Sequence, residues 1–337
     1  MFSKTNLFAA IIFLSGILSG SFGAVSAQDK KDDKKETITI SKKEDSVLKK
    51  LEKAKTADEK MQLVEAYIKE FPQSAARQRV VEFAAREVLQ LKDNNQIILQ
   101  GEKYLQIFTP DAEADLVLPA LIFSYIQVKR TKDAFDTAQK YLARHPEDIS
   151  TPLMLSIEGS NQARTGNKDF AVLSGGYAAQ AIELIQADKR PSDIAEANWQ
   201  EYKTKWLPQL YQTQGYLEYV SGEKAKSRVS LEKATALNSA DINSWLLLGS
   251  MLDDEYQALA LKYNTTAAGA ERDAQLVKAN EKLDATIESF ARIVALTDGK
   301  PEAKQINDQV RENLESYYKY RHKNTDGLKA LIDKYKK

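Results

Sequence analysis

Tyr67, Tyr104 and Tyr141 recur at a constant spacing of 37 residues, each inside nearly the same local phrase. The phrases read Tyr67-Ile68-Lys69-Glu70-Phe71-Pro72, Tyr104-Leu105-Gln106-Ile107-Phe108-Thr109-Pro110 and Tyr141-Leu142-Ala143-Arg144-His145-Pro146. An apolar helix ending that is broken each time by proline is what a stack of helical hairpins writes into its sequence. Periods of ~20–50 residues mark units that bury their apolar faces against their neighbours. The expected architecture is therefore an all-α solenoid of antiparallel helix hairpins, a design that serves binding far more often than chemistry.

Composition agrees with long helices, because glycine and proline number only 14 and 8 in 337 residues. Lysine plus arginine equal aspartate plus glutamate, 48 against 48. A chain without net charge exerts no long-range pull on phosphate backbones, so nucleic acid is not an expected partner. The sequence holds no cysteine, which excludes disulfides, thiol catalysis and cysteine metal sites. The two histidines, His145 and His322, leave few general bases or metal ligands. No GxSxG, HExxH or phosphate-loop pattern occurs, so no catalytic residue and no cofactor is expected.

The N-terminus reads as a secretory signal spanning residues 1–27. Lys4 gives a small positive region, Leu7 to Leu18 is apolar apart from Ser15 and Gly16, and Val25-Ser26-Ala27 offers small residues at a cleavage position. The apolar run is short of the ~20 residues that a spanning helix needs. The expected localisation is export, to the periplasm or beyond, with cleavage near Ala27 and no transmembrane segment in the mature chain. Residues 28–45 mix Asp29, Lys30, Lys31, Asp32, Asp33, Lys34, Lys35 and Glu36 with little apolar content, the composition of a solvated leader.

Residues 46–337 read as amphipathic helices with short breaks. Leu48, Leu51, Leu63, Val64 and Tyr67 fall at helical spacings, as do Val80, Val81, Ala84, Val88 and Leu91. Pro72, Pro110, Pro146 and Pro191 mark turns. Gly166 and Gly222 follow apolar helices, where a left-handed residue closes the turn. Counting the breaks predicts about fourteen helices in seven pairs. The last pair, about 301–321 and 324–335, ends in Lys334, Lys336 and Lys337, a charged outer face of the kind that a terminal repeat needs.

The repeat is clearest over residues 208–252, where one unit runs from Pro208 to Asp241 and the next follows it. Gly215, Gly222 and Ala234, with Tyr211 ahead of them, are followed by Trp245-Leu246-Leu247-Leu248-Gly249. This resembles the tetratricopeptide repeat (TPR) family, whose units open on W-x-x-L-G and whose second helix is similar to Lys233-Ala234-Thr235-Ala236-Leu237-Asn238. In the unit ending at Pro146, Leu118, Leu121, Tyr125, Ala134 and Ala138 fit the same frame, with Ile122 in the glycine's place. After Leu252 the family's second helix resumes only around Thr286-Ile287, past an insertion that lengthens both helices.

The resemblance implies a right-handed superhelix with the first helix of each pair lining a concave groove. It places Gln212, Tyr216 and Tyr219 on that groove from one unit, and Asn243, Ser250 and Asp253 from the next. Tyrosine supplies rigid contact area and an amide grips extended backbone, so the implied ligand is a protein or peptide. The carboxylate clamp of some family members is missing, because Gln212, Tyr216, Leu246 and Leu247 hold its positions. Asp253-Asp254-Glu255 forms no expected metal site, since successive helical residues point about 100° apart. Gly175-Gly176 is expected at a close helix crossing or a kink. Trp199, Trp206 and Trp245 are expected in the core.

The expectation is thus a non-enzymatic exported scaffold. A structural or self-assembling spacer, homo-oligomeric through a terminal repeat, is the alternative, followed by a helical accessory subunit of a cell-wall enzyme.

Overall fold

The computed structural model describes residues 40–192 and 194–336. The apolar N-terminal segment and most of the charged leader lie outside them. The described residues are helical throughout, with fifteen α-helices and no strand. They fall into two compact units, residues 40–158 and 159–336, divided within one helix, α8.

The first unit contains α1 (Lys42–Lys53), α2 (Ala57–Glu70), α3 (Arg77–Leu89), α4 (Asn94–Ile107), the one-turn α5 (Asp111–Ala114), α6 (Leu118–Gln127), α7 (Thr131–Arg144) and the start of α8 (Ser150–Arg164). Helix α1 begins inside the stretch assigned to the leader. Ser41 and Glu44 form a reciprocal capping box, each side chain taking the other's backbone N–H, and Glu44 is buried.

The 37-residue period is a period of structure. α2, α4 and α7 are each 14 residues long, and their C-caps are Phe71, Phe108 and His145. Each cap donates its backbone N–H to the carbonyl of the recurring tyrosine, at 2.8, 2.9 and 3.0 Å. Each cap ring also packs on that tyrosine, with centroids 5.3, 4.5 and 4.4 Å apart. Tyr67 and Tyr104 are fully buried, and their hydroxyls find partners: Tyr67 donates to Glu44 Oε1 at 2.6 Å, Tyr104 to the Glu113 carbonyl at 2.9 Å. Unpaired, such buried hydroxyls would cost ~1–3 kcal/mol each. His145 is a capping residue whose Nε2 lies 2.7 Å from Asp115 Oδ2.

The second unit holds the rest of α8, then α9 (Ala171–Gln186), α10 (Glu196–Val220), α11 (Lys224–Leu237), α12 (Ile242–Thr265), α13 (Ala270–Thr297), a 3₁₀ turn (Pro301–Ala303), α14 (Lys304–His322) and α15 (Leu328–Asp333). α10 packs on α9 and α11, α12 on α11 and α13, and α13 on α14 and α15. This neighbour-on-neighbour order is repeat-like. Leu283, Phe290, Ile293, Val294, Val310 and Leu314 form the fully buried centre of the C-terminal cluster.

Helices α12 and α13 are 24 and 28 residues long, so the insertion does lengthen both. α13 starts at Ala270, earlier than the apolar pattern alone indicates, because its first turns carry mostly polar, exposed residues. Pro208 lies inside the 25-residue α10. Among the described residues no helix is long and apolar enough to cross a membrane.

Gly166 and Gly222 take φ of +99° and +85°, closing α8 and α10 as expected. Gly175 and Gly176 correct one half of their expectation, the close crossing. A Cβ on Gly176 would meet nothing within 4 Å, and one on Gly175 only the Leu217 Cβ at 3.8 Å, so neither marks a tight crossing.

Candidate functional site

Two glycines set the packing of the helices that carry the residues expected on the groove. A Cβ on Gly215 would stand 2.7 Å from Leu231 Cγ and 2.9 Å from its Cδ2, so α10 and α11 touch there backbone to side chain. The Ser227 hydroxyl of α11 donates to the Gly215 carbonyl at 2.7 Å across the same crossing. Gly249 plays this part between α12 and α13, where a Cβ would lie 3.0 Å from Ser289 Oγ and 3.1 Å from the Phe290 ring. A side chain at position 215 would force Leu231 or its helix to move, whereas at 249 the tighter fit asks Ser289 and Phe290 to give by a few tenths of an ångström.

On α10, Gln212, Tyr216 and Tyr219 follow one another at i, i+4 and i+7 and are all half-buried. Gln212 donates from Nε2 to Asp241 Oδ1 at 2.7 Å. Asp241 is the N-cap of α12 and also accepts the backbone N–H groups of Asn243 and Ser244, at 3.1 and 3.3 Å. One carboxylate thus joins Gln212 of α10 to Asn243 of α12. Burial pushes the Asp241 carboxyl upward, against the hydrogen bonds from Ser244, Asn243 and Gln212 that favour its charged form.

Tyr216 and Tyr219 both rest on the cluster of Leu231, Leu247, Leu248 and Met251. The Arg164 guanidinium stands 4.9 Å above the Tyr216 ring, a cation–π contact. Burial draws the Arg164 pKa down, opposed by Tyr216 and Asp241, and burial raises the hydroxyl of Tyr216. Tyr219 sits beside Lys224, whose Nζ is 6.0 Å from the ring centroid and 3.7 Å from Asp254 Oδ2. The Tyr219 hydroxyl is likewise raised by burial, with the Asp254 charge adding to the effect.

Further along α12 the side chains turn inward. Ser250 is buried, at 9% exposure. Asp253 accepts the Tyr317 hydroxyl of α14 at 2.7 Å and Gln257 Nε2 at 3.4 Å. Gln257 Nε2 also donates to Tyr317 Oη at 2.8 Å, closing a triad between α12 and α14. The three adjacent carboxylates diverge: Asp253 goes to Tyr317, Asp254 to Lys224, and Glu255 to Arg228 and Lys282.

The structure therefore brings Gln212 and Asn243 together through Asp241, and sets Tyr216 and Tyr219 side by side on one apolar cluster. Ser250 and Asp253 are engaged in the interior and at the α14 contact. Arg164, Asp241, Gln257 and Tyr317 complete the site. Tyr317 stands in the sequence only as part of the dense patch from Glu312 to His322, with nothing linking it to Asp253, and the other three are not singled out there as site residues. Of these, only Asp241 has a local signature, an aspartate immediately ahead of a helical run. Trp199 and Trp206 are core residues, as expected, whereas Trp245 is half-buried, with the Arg292 guanidinium 4.8 Å above its ring. Neither the family models nor the curated proteins compared with the chain gave a match.

Proposed function

We propose that this chain is an exported, non-enzymatic, TPR-like scaffold, a solenoid that recognises a protein or peptide along the face carrying Gln212, Tyr216, Tyr219 and Asn243. The observation that carries this reading is the pair of glycine crossings, Gly215 on Leu231 and Gly249 on Phe290. They fall at the small-residue positions of the family frame, which supports a row carried by α10 and α12. Half-buried tyrosines seated on an apolar cluster are already ordered, so a ligand meets rigid area at low entropic cost. Gln212 and Asn243 add amides for extended backbone. The export part of the proposal rests on Lys4, the Leu7–Leu18 apolar run and Val25-Ser26-Ala27.

The test is affinity capture from the envelope extract with the parent chain and a Tyr216→Ala/Tyr219→Ala variant of equal helix content. A partner held by the parent and lost by the variant supports the reading, and equal recovery contradicts it. A second reading, a structural or self-assembling module, draws on Ser250 and Asp253 being occupied within the unit. Light scattering at several concentrations separates the two, since self-assembly raises the apparent mass without any partner.

A further inference from the structure

The second unit also has a cleft on the opposite face of α12. At about 100° per residue, Trp245, Leu248 and Leu252 lie roughly 150° around the helix from Asn243, Ser250 and Asp253. These three apolar side chains floor an open trough of 390 Å³ between α11, α12 and α13, with Arg228 at one end and Arg292 at the other. This volume is at the small end of the ~300–1,000 Å³ usual for ligand sites. An enclosed pocket suits a small molecule, whereas an open trough suits one side chain of a backbone that passes outside it.

The two ends differ in charge. Arg228 is matched twice, Nε to Glu232 at 2.8 Å and Nη1 to Glu255 at 3.3 Å. Arg292 gives only Nη2, to Glu288 Oε1 at 3.2 Å, and its Nε and Nη1 have no protein acceptor among the described residues. Glu288 is shared, because it also accepts the Tyr335 hydroxyl and lies 4.0 Å from Lys334 Nζ. Two cations therefore face one carboxylate at this end. The Arg292 guanidinium lies over both the Trp245 and the Tyr335 ring, at 4.8 and 4.0 Å from their centroids. A guanidinium held by two aromatic rings, with donors open, receives a carboxylate at a reduced cost in side-chain entropy.

We propose that this cleft docks an acidic-apolar peptide segment. One large apolar side chain seats on Trp245, Leu248 and Leu252, and a side-chain carboxylate one or two residues away takes the open donors of Arg292. The cleft shares Leu248 with the apolar cluster beneath Tyr216 and Tyr219 but uses none of the row's own residues, so failure of peptide binding here leaves that reading untouched.

The test titrates the purified chain with two acetylated and amidated peptides, Ala-Asp-Phe-Asp-Ala and Ala-Asn-Phe-Asn-Ala, and follows tryptophan emission. Trp199 and Trp206 are buried, so Trp245 reports. The aspartate peptide is expected to give a saturable change that weakens with added salt, and the asparagine peptide to bind at least roughly tenfold more weakly. Arg292→Gln is expected to abolish the difference between the peptides. Leu252→Glu, at a half-buried position, is expected to abolish binding while helix content is kept. Equal affinity for both peptides, an Arg292→Gln variant that still discriminates, or no saturable response at millimolar peptide would overturn the proposal.

Discussion

The side chain of Leu231 fills the space that a Cβ on Gly215 would need, its Cγ lying 2.7 Å from that point. Gly215→Ala is therefore expected to destabilise the second unit by about 1–3 kcal/mol, as overpacking does in a close-packed core. Gly176→Ala is the control. Nothing lies within 4 Å of its added methyl, and removing a mid-helix glycine is expected to stabilise by roughly 0.5–1 kcal/mol. Urea unfolding of the two variants should move in opposite directions, and a shared direction would refute the crossing.

The first unit has an acid-sensitive lock. Hydrogen bonds from Ser74 and Tyr67 outweigh burial and hold the Glu44 carboxyl below its usual range. A depressed folded pKa gives stability that is present above the unfolded value and lost as pH falls through the folded one. Tyr67→Phe is expected to cost roughly 1.5–3 kcal/mol at neutral pH, the range for a hydrogen bond to a charged group. Glu44→Gln should flatten the acid limb of a stability-against-pH curve. An unchanged acid limb would place the acid sensitivity elsewhere.

Asp253 has the opposite sign. Burial raises its carboxyl, the hydrogen bonds from Tyr317 and Gln257 oppose that, and the neighbouring Asp254 charge adds to the rise. A raised carboxylate contributes stability that is present below the unfolded pKa and lost as pH rises through the folded one. Asp253→Asn keeps an acceptor for Tyr317 and carries no charge. Its Tm is expected to exceed the parent's at neutral pH, with the gap closing in acid. A Tm below the parent's at neutral pH would mean that the charged form is the stabilising one.

The locally encoded part of this fold was legible. The tyrosine phrases announce the ends of α2, α4 and α7 because the cap is made by residues four apart. The start of α1 is written as Ser41-x-x-Glu44, but the charge around it assigns residues 28–45 to the leader instead. The left-handed turns were half legible. Gly166 and Gly222 are visible as glycines, but Lys129 and Asp188 adopt φ of +65° and +58° in equivalent helix-ending turns, and neither residue type announces that. At all four turns a backbone N–H reaches five residues back: Arg130 to Tyr125, Asn167 to Gln162, Lys189 to Leu184 and Glu223 to Glu218. The site was least legible where its partners are remote in sequence. Nothing near Asp253 points to Tyr317, and nothing near Tyr216 points to Arg164. Those pairings exist only once the helices are packed.

The three tryptophans offer a simple check of that packing. Trp199 and Trp206 are 5% and 9% exposed, and the Trp199 Nε1 donates to Asp188 Oδ1 at 2.7 Å. Acrylamide should quench chiefly Trp245, and Trp245→Phe should remove most of the quenchable emission. Equal quenching in parent and variant would show that the α9–α10 packing is open.

The most direct measurement of the central claim is site-specific photo-crosslinking from the α10–α12 row in the native envelope. A photoreactive residue is placed in turn at Gln212, Tyr219 and Asn243, with exposed Asp308 of α14 as the control. The scaffold reading predicts one common protein product from the three row positions and none from Asp308. The same products from all four positions, or none from the row, would contradict it.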